Sequence, residues 1–434
     1  MKIQGKTSSE IVESIRTLQI SGELLPNQQL PPLRELAQHL NVNRNTVAYA
    51  YKRLVLLGIA STHRRNGTVL NDLTHAGEQE GFSSDLGINL GSGNPNPDFL
   101  PNPIQFLEKN NFKPHLYGEE SILPSFRDWI LNDFQKDCPI SKEITLTYGS
   151  VDAIERIINS HLVSGDLIAV EDPCYLGSIN AIRLAGVVPI GVEIDEFGLI
   201  PSSLSSAMQK GIKAILITPR AQNPTGCSLS HQRALEIKRI LTKYPKTLVI
   251  IDDHYALLSS IKYYSIIPNN IQNWSLIRSV SKALGPDMRL AYVAADQITI
   301  AKINARMAPG TTWVSHLIQE IVYKCLISND FKEKLKNIKE QYNNQREYLC
   351  ELLSLHEIDY FTSCDGFNVW INLPEFISEQ VVIDRLQNEG WLVRAGKTFE
   401  IERKANAIRV TITELDKIIT EKFVKALEKC FQEI

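Results

Sequence analysis

The sequence predicts a multidomain α/β chain: a small helical unit leads into a much larger unit of strands and helices. Three observations carry this. Before Gly58, apolar residues recur at helical spacing. From Asn89 onward, short continuous apolar runs alternate with amphipathic stretches, as in strands buried on both faces of a largely parallel sheet. At 434 residues the chain also exceeds one core, since a domain holds roughly 100–200 residues.

The first helix is predicted from Ser8 to about Ser21, with Ile11, Ile15 and Leu18 on one face and Gly22 to end it. The second follows Leu30-Pro31-Pro32, because proline suits a first turn, and carries Leu33, Leu36, Ala37 and Leu40 inward. Asn43 is a good N-cap for the third, which runs from Arg44 to about Leu57 with Val47, Ala50, Tyr51 and Leu54 inward. Two helices joined by a short turn, the second opening with polar and basic residues, form a helix-turn-helix pattern. The start of that second helix would enter a major groove. Ile59–Leu70 reads as two short strands around a basic Asn-Gly turn, whose arginines can reach phosphates. The plain alternative is a three-helix unit with a solvated basic face.

Charge divides the chain the same way. Residues 1–70 hold nine Lys/Arg and four Glu, net +5; the remainder holds 37 basic and 45 acidic residues, net −8. Only the small unit is then suited to a polyanion. Residues 71–88 carry four acids and no Lys or Arg, and read as a flexible or semi-extended connector.

In the large unit, Leu167–Val170, Ala214–Ile217 and Leu248–Ile251 read as buried strands. Function in such sheets gathers at the carboxyl ends of strands. Thr218–Gly226 and Asp252–Tyr255 fall there. Asp252 ends an apolar run and is costly to bury alone; a cationic ring or a nearby Arg is its natural partner. Asn223 lies in a turn, yet its amide can donate to a phenolate oxygen. Tyr175 stands just past a strand, placed to stack on a flat ring or simply half-buried. Gly149-Ser150-Val151 precedes a helix, where free N–H groups suit a phosphate; an ordinary glycine turn with Ser as cap is the alternative. Lys282 sits among Ser279, Ser281 and Arg289, which together suit a phosphate, although a lysine by itself is usually a surface residue.

Other classes are set aside. Hydrophobic content of 43% and charged content of 22% are ordinary for a soluble globular protein. No apolar run approaches the ~20 residues of a membrane span, and the amino terminus reads as no signal segment. Seven cysteines without C-x-x-C spacing imply neither a disulfide framework nor a zinc site. These features favour the cytoplasm. Gly91-Ser92-Gly93 lacks the third glycine of a dinucleotide loop.

Leu30-Pro31-Pro32-Leu33-Arg34-Glu35-Leu36-Ala37, Val42–Val47 and Tyr51-Lys52-Arg53-Leu54 closely resemble the GntR-type winged helix-turn-helix. The resemblance implies DNA contacts by Arg34, Arg44, Asn45, Thr46, Arg65 and Gly67. The order Asn223, Asp252, Lys282, with gaps of 29 and 30, resembles the class I/II aminotransferases, pyridoxal phosphate (PLP) enzymes of fold type I with a small α+β carboxyl-terminal subdomain. That resemblance implies a PLP Schiff base on Lys282, Asp252 on the pyridine nitrogen, and Asn223 with Tyr255 on the ring oxygen. Tyr175 would stack on the ring. Gly149, Ser150, Val151, Ser279, Ser281 and Arg289 would hold the phosphate, with Tyr117 reaching it from a partner subunit. Arg409 would bind a substrate or effector carboxylate. Val151, His254 and Asp287 depart from the usual pattern, but Val151 still offers its N–H.

Both halves together resemble the MocR subfamily of GntR-type regulators, and within it the PtsJ-type, vitamin B6-responsive branch. The resemblance implies a head at 1–70, a linker at 71–88 and an aminotransferase-like body at 89–434. It implies a homodimer with a head-to-tail domain swap, operator DNA as partner, and PLP or an amino acid–PLP adduct as effector. A competent aminotransferase with an auxiliary DNA-binding head is the alternative.

Overall fold

The structure is a computed structural model that describes residues 2–26, 28–57, 59–63, 67–70, 79–81, 87–106, 114–139, 142–362 and 365–432. In the amino-terminal unit, α1 (Ser8–Ile20), α2 (Leu33–Leu40) and α3 (Arg44–Leu56) form where periodicity places them. Asn43 caps α3, its Oδ1 accepting from the Asn45 N–H at 2.8 Å. Ile11, Ile15, Leu36, Leu40, Val47, Ala50 and Leu54 close a shared core, with Leu18 and Leu33 half-buried at its rim. The Tyr51 hydroxyl donates to the Pro31 carbonyl at 2.8 Å, which ties α3 to the entry of α2. β1 (Ala60–His63) and β2 (Gly67–Leu70) pair antiparallel, Ala60 opposite Leu70. Gly58, and Arg64 to Asn66 of the hairpin tip, lie outside the described residues.

After β3 (Ile88–Asn89), eight strands build the main sheet: β4 (Glu143–Thr147), β5 (Leu167–Asp172), β6 (Val188–Asp195), β7 (Gly198–Leu199), β8 (Ala214–Ile217), β9 (Leu248–Asp252), β10 (Trp274–Ser279) and β11 (Ala291–Ala295). Their order is β4-β11-β10-β9-β8-β5-β6-β7. β10, β9, β8, β5 and β6 run parallel; β11 is antiparallel to both its neighbours. The continuous apolar runs are explained by two cores. Ile215, Ile217, Val249 and Ile251 enter one, while Ala214, Leu216, Leu248 and Ile250 enter the other. Period-two alternation sends neighbours to opposite faces, and both faces are covered.

β12 (Asn368–Asn372), β13 (Trp391–Leu392), β14 (Arg394–Ala395) and β15 (Ala407–Thr411) belong to the carboxyl-terminal part. β12, β15 and β14 form a second sheet, and the 27-residue helix Asn329–Leu355 packs on the final helix, Lys417–Gln432. β3 pairs with β13, Ile88 opposite Trp391.

Within 71–88, read from sequence as a flexible or semi-extended connector, the described residues touch the large unit. Ile88 is in a strand, and Gln79–Gly81 lies against the large unit. The Gly81 N–H donates to the Ser92 carbonyl at 3.0 Å, and the Arg394 guanidinium donates to the Gln79 carbonyl. Among the described residues no helix is long and apolar enough to cross a membrane.

Candidate functional site

β5, β8, β9 and β10 are parallel neighbours, so their carboxyl ends open on one edge of the sheet. Asp252 is the last residue of β9, Asn223 lies in the turn after β8, and Tyr175 follows β5. Ser279 ends β10, and Lys282 stands in the short helix Ser281–Leu284 that follows. These residues line one cavity of about 260 Å³ with Ser150, Val151, Ser281 and Arg289; Glu80, Asn94, Pro95, His254 and Pro286 complete its wall.

Two adjacent acids are treated differently. Asp253 is fully buried and compensated, bonded to Arg220 at 2.9 and 2.6 Å and to Arg278 at 2.9 Å. Asp252 is 3% exposed, and its Oδ1 has no partner. Its Oδ2 stands 3.7 Å from Nδ1 of His254. Burial, reinforced by the Asp253 charge, pushes the Asp252 carboxyl up to about 7, with Lys282 pulling the other way. Burial also lowers His254 to about 4, helped by the Lys282 charge, so its ring is neutral near pH 7 and brings no cation. A buried orphan carboxylate oxygen is costly, and it fits a cationic N–H entering the cavity.

Nζ of Lys282 donates to the Gly93 carbonyl at 2.7 Å. Burial lowers its amine to about 8; Glu80 and Asp252 oppose that and Arg409 adds to it. A lysine so tuned keeps a usable uncharged fraction near neutral pH and can attack a carbonyl carbon.

Elsewhere the wall is suited to an anion. Gly149, at φ 101°, is the N-cap of the helix Ser150–His161, so Ser150 is the first helical residue and not the cap. A side chain at Gly149 would come within 3.0 Å of the Arg289 guanidinium; glycine lets that arginine approach the helix start. Arg289 donates to the Tyr148 carbonyl at 2.7 Å, and the Ser281 N–H donates to Oγ of Ser279 at 3.2 Å.

Arg409 lies on β15 and is completely buried. It donates to Asn223 Oδ1 at 2.9 Å, to the Gly91 carbonyl at 2.8 Å, and to both carboxylate oxygens of Glu80, Nη2 to Oε2 at 2.9 Å. Asn223 Nδ2 donates to the same carboxylate at 3.0 Å. Burial pushes the Glu80 carboxyl up, but the Arg409 guanidinium outweighs it and holds the group at about 2. Gly91-Ser92-Gly93 is part of this wall: the Gly93 N–H donates to Thr411 Oγ1 at 3.1 Å, and its carbonyl receives Lys282.

Besides Gly149, which caps the helix behind Ser150, three expected residues do not line the cavity. Tyr255 borders a small adjoining cavity with Ala221, Gly366 and Phe367, joined to the main one through His254 and Lys282. Tyr117 is 88% exposed, edge-on to Trp313 with ring centroids 5.4 Å apart. Arg409 does not line the cavity; Glu80 stands in front of it. Glu80 is the residue that sequence reasoning missed. Its one signal was being an acid in a stretch without basic residues, and its partner is 329 positions away.

In the amino-terminal unit, Arg34, Arg44 and Asn45 are exposed at the starts of α2 and α3, and Thr46 is half-buried beside them. Gly67 is exposed at φ 66° where β2 begins; Arg65 lies outside the described residues.

Residues 7–70 match the gntR family of bacterial regulatory proteins, and residues 86–427 match the aminotransferase class I and II family. The vitamin B6 salvage pathway transcriptional repressor PtsJ of Salmonella typhimurium is 42% identical over 415 residues, 95% of this chain and 96% of its own. Aromatic-amino-acid aminotransferase 1 of Thermococcus litoralis is 23% identical over 80% of this chain and 88% of its own. The crystal structure of the multiple substrate aminotransferase from Thermococcus profundus superposes with a TM-score of 0.72 at 23% identity, covering 81% of this chain and 92% of that one. That likeness shows the fold.

Proposed function

The chain belongs to the aminotransferase class I and II family and carries a gntR-family segment at its amino terminus, and on that premise we propose that it is a PLP-sensing transcriptional regulator. Residues 1–70 bind operator DNA, residues 89–434 bind PLP, and 71–88 connect them in a cytoplasmic homodimer. The repressor from Salmonella supports control of vitamin B6 metabolism.

The observation that carries the reading is the unpartnered Oδ1 of Asp252 in the cavity that Lys282 lines. When bound, PLP supplies an aldehyde carbon to the amine and an electron-withdrawing pyridine ring. Lys282, lowered to about 8, would hold the aldehyde covalently and reversibly, with water released on condensation. Asp252 accepts from the protonated ring nitrogen. Asn223 and Tyr255 hold the ring oxygen, and Tyr175 covers a ring face. Gly149, Ser150, Val151, Ser279, Ser281 and Arg289 take the phosphate, joined by Tyr117 of the partner subunit, whose exposure here is in keeping with that role. Arg34, Arg44, Asn45, Thr46, Arg65 and Gly67 face DNA. Glu80 on Arg409 weighs against steady transamination, since it stands where a substrate carboxylate would enter.

PLP shifts DNA binding only by favouring one arrangement of the heads over another. Full-length protein is to be tested on DNA from upstream of its own and neighbouring genes, with and without PLP. Affinity or footprint should change at PLP saturation, and borohydride reduction should leave the pyridoxyl group on Lys282. An unchanged affinity, salt dependence and footprint rejects the sensor. Rapid catalytic turnover of amino acids would favour the enzyme.

A further inference from the structure

Glu80 meets Arg409 as a free carboxylate would. Both oxygens face the guanidinium, and Asn223 bonds one of them at 3.0 Å. The segment is tied on either side, by the Gly81 N–H on the Ser92 carbonyl and by Arg394 on the Gln79 carbonyl. A side chain at Gly93 would come within 2.6 Å of Glu80 Oε2, so the wall is shaped to admit this carboxylate. An exposed ion pair contributes little, whereas a buried bidentate one holds its partners in register.

We infer that Glu80 is an internal carboxylate ligand of the Arg409 fork, and that small molecules bearing a carboxylate, amino acids among them, compete with it and release the connector. The competitor faces a tethered rival at high effective concentration, so the fork responds to abundant carboxylates and ignores traces. Release also changes the head's tether. With Glu80 seated, β2 and the anchor lie nine residue steps apart in the chain, a reach of at most about 32 Å at ~3.6 Å per residue. With it released, the anchor retreats to β3, eighteen steps from β2, and the reach rises to about 65 Å. Carboxylate occupancy of the body is thereby converted into freedom of the DNA-binding head. This goes beyond cofactor sensing and needs no PLP, because Glu80, Asn223 and Arg409 meet without it.

The test uses the PLP-free full-length chain, so its failure leaves the PLP reading untouched. Glu80→Ala removes the strap's carboxylate and leaves Arg409 buried without its counter-ion. This variant should melt below wild type and be restored by acetate but not by chloride at equal ionic strength. It should bind acetate about tenfold tighter than wild type if the strap fills the fork nine-tenths of the time. Equal melting and equal acetate response in the two proteins overturn the proposal. Should Glu80→Ala fail to fold, wild type decides. L-alanine should speed amide exchange at Gly81, while L-alaninamide, which lacks the carboxylate, should not. No acceleration by L-alanine, or equal acceleration by both, overturns it.

Discussion

Arg289 lines the pocket while Arg409 stands behind Glu80 at its wall, and the fold treats the two arginines differently. Arg289 is exposed, holds the Tyr148 carbonyl, and lines the cavity. Arg409 is sealed from solvent, with donors committed to Asn223, Gly91 and Glu80. Arg289 is open to an anion from outside; Arg409 already holds an anion from its own chain. The wall proposed for a phosphate is open and the fork proposed for a carboxylate is filled, which is the arrangement the proposed sensor uses. It also wires the fork to the connector that carries the head.

The largest expected effect tests whether that asymmetry is structural. Arg409→Gln removes the buried guanidinium's bonds to Glu80, Asn223 and the Gly91 carbonyl and should cost about 1–3 kcal/mol of stability, the usual range for lost buried hydrogen bonds. Arg289→Gln should cost less than about 0.5 kcal/mol. Urea unfolding of both variants measures this, and equal costs would erase the contrast. Next comes the open part of the pocket. Asp252→Asn should weaken PLP by about 10–100-fold, from losing a charge-assisted hydrogen bond of about 1.5–3 kcal/mol; an equilibrium titration with PLP reads it. Arg289→Gln should weaken PLP by about tenfold while leaving pyridoxal, which lacks the phosphate, unchanged. A similar loss for pyridoxal would remove Arg289 from the phosphate role. The smallest effect joins the two arginines' territories through Lys282. Only the uncharged amine captures PLP, so the capture rate should rise with pH through about 8 and then level off. The Glu80 charge raises that amine, so Glu80→Gln should move the midpoint to lower pH. A midpoint that stays in place would separate the strap from the Schiff-base lysine.

Much of the framework was legible because the forces that set it are local or repetitive. Ile11, Leu36, Val47 and Leu54 recur at helical spacing, and they close the core of the amino-terminal unit. Ile250-Ile251-Asp252 reads as a buried strand ending in an acid, and Asp252 ends β9 at the cavity. Tyr255, three residues on, looks like an equal partner in the chain, yet it borders the adjoining cavity. Spacing says which residues share a turn; it does not say which of two joined cavities each borders. Gly91-Ser92-Gly93 shows the same limit. It is unremarkable as a phosphate loop, but its carbonyls receive Arg409 and Lys282.

The amino-acid sequence by itself determined the two kinds of unit, the helix-turn-helix pattern, the buried parallel strands and the acid and lysine at their ends. Periodicity, capping and burial act over a few residues and leave their mark there. Tertiary structure alone decided that Asp253 is compensated while Asp252 is not, that the Lys282 amine is lowered by burial, and that Glu80 closes over Arg409. Those outcomes depend on which charges meet where water is excluded. Residues 329 positions apart leave no local pattern of that meeting.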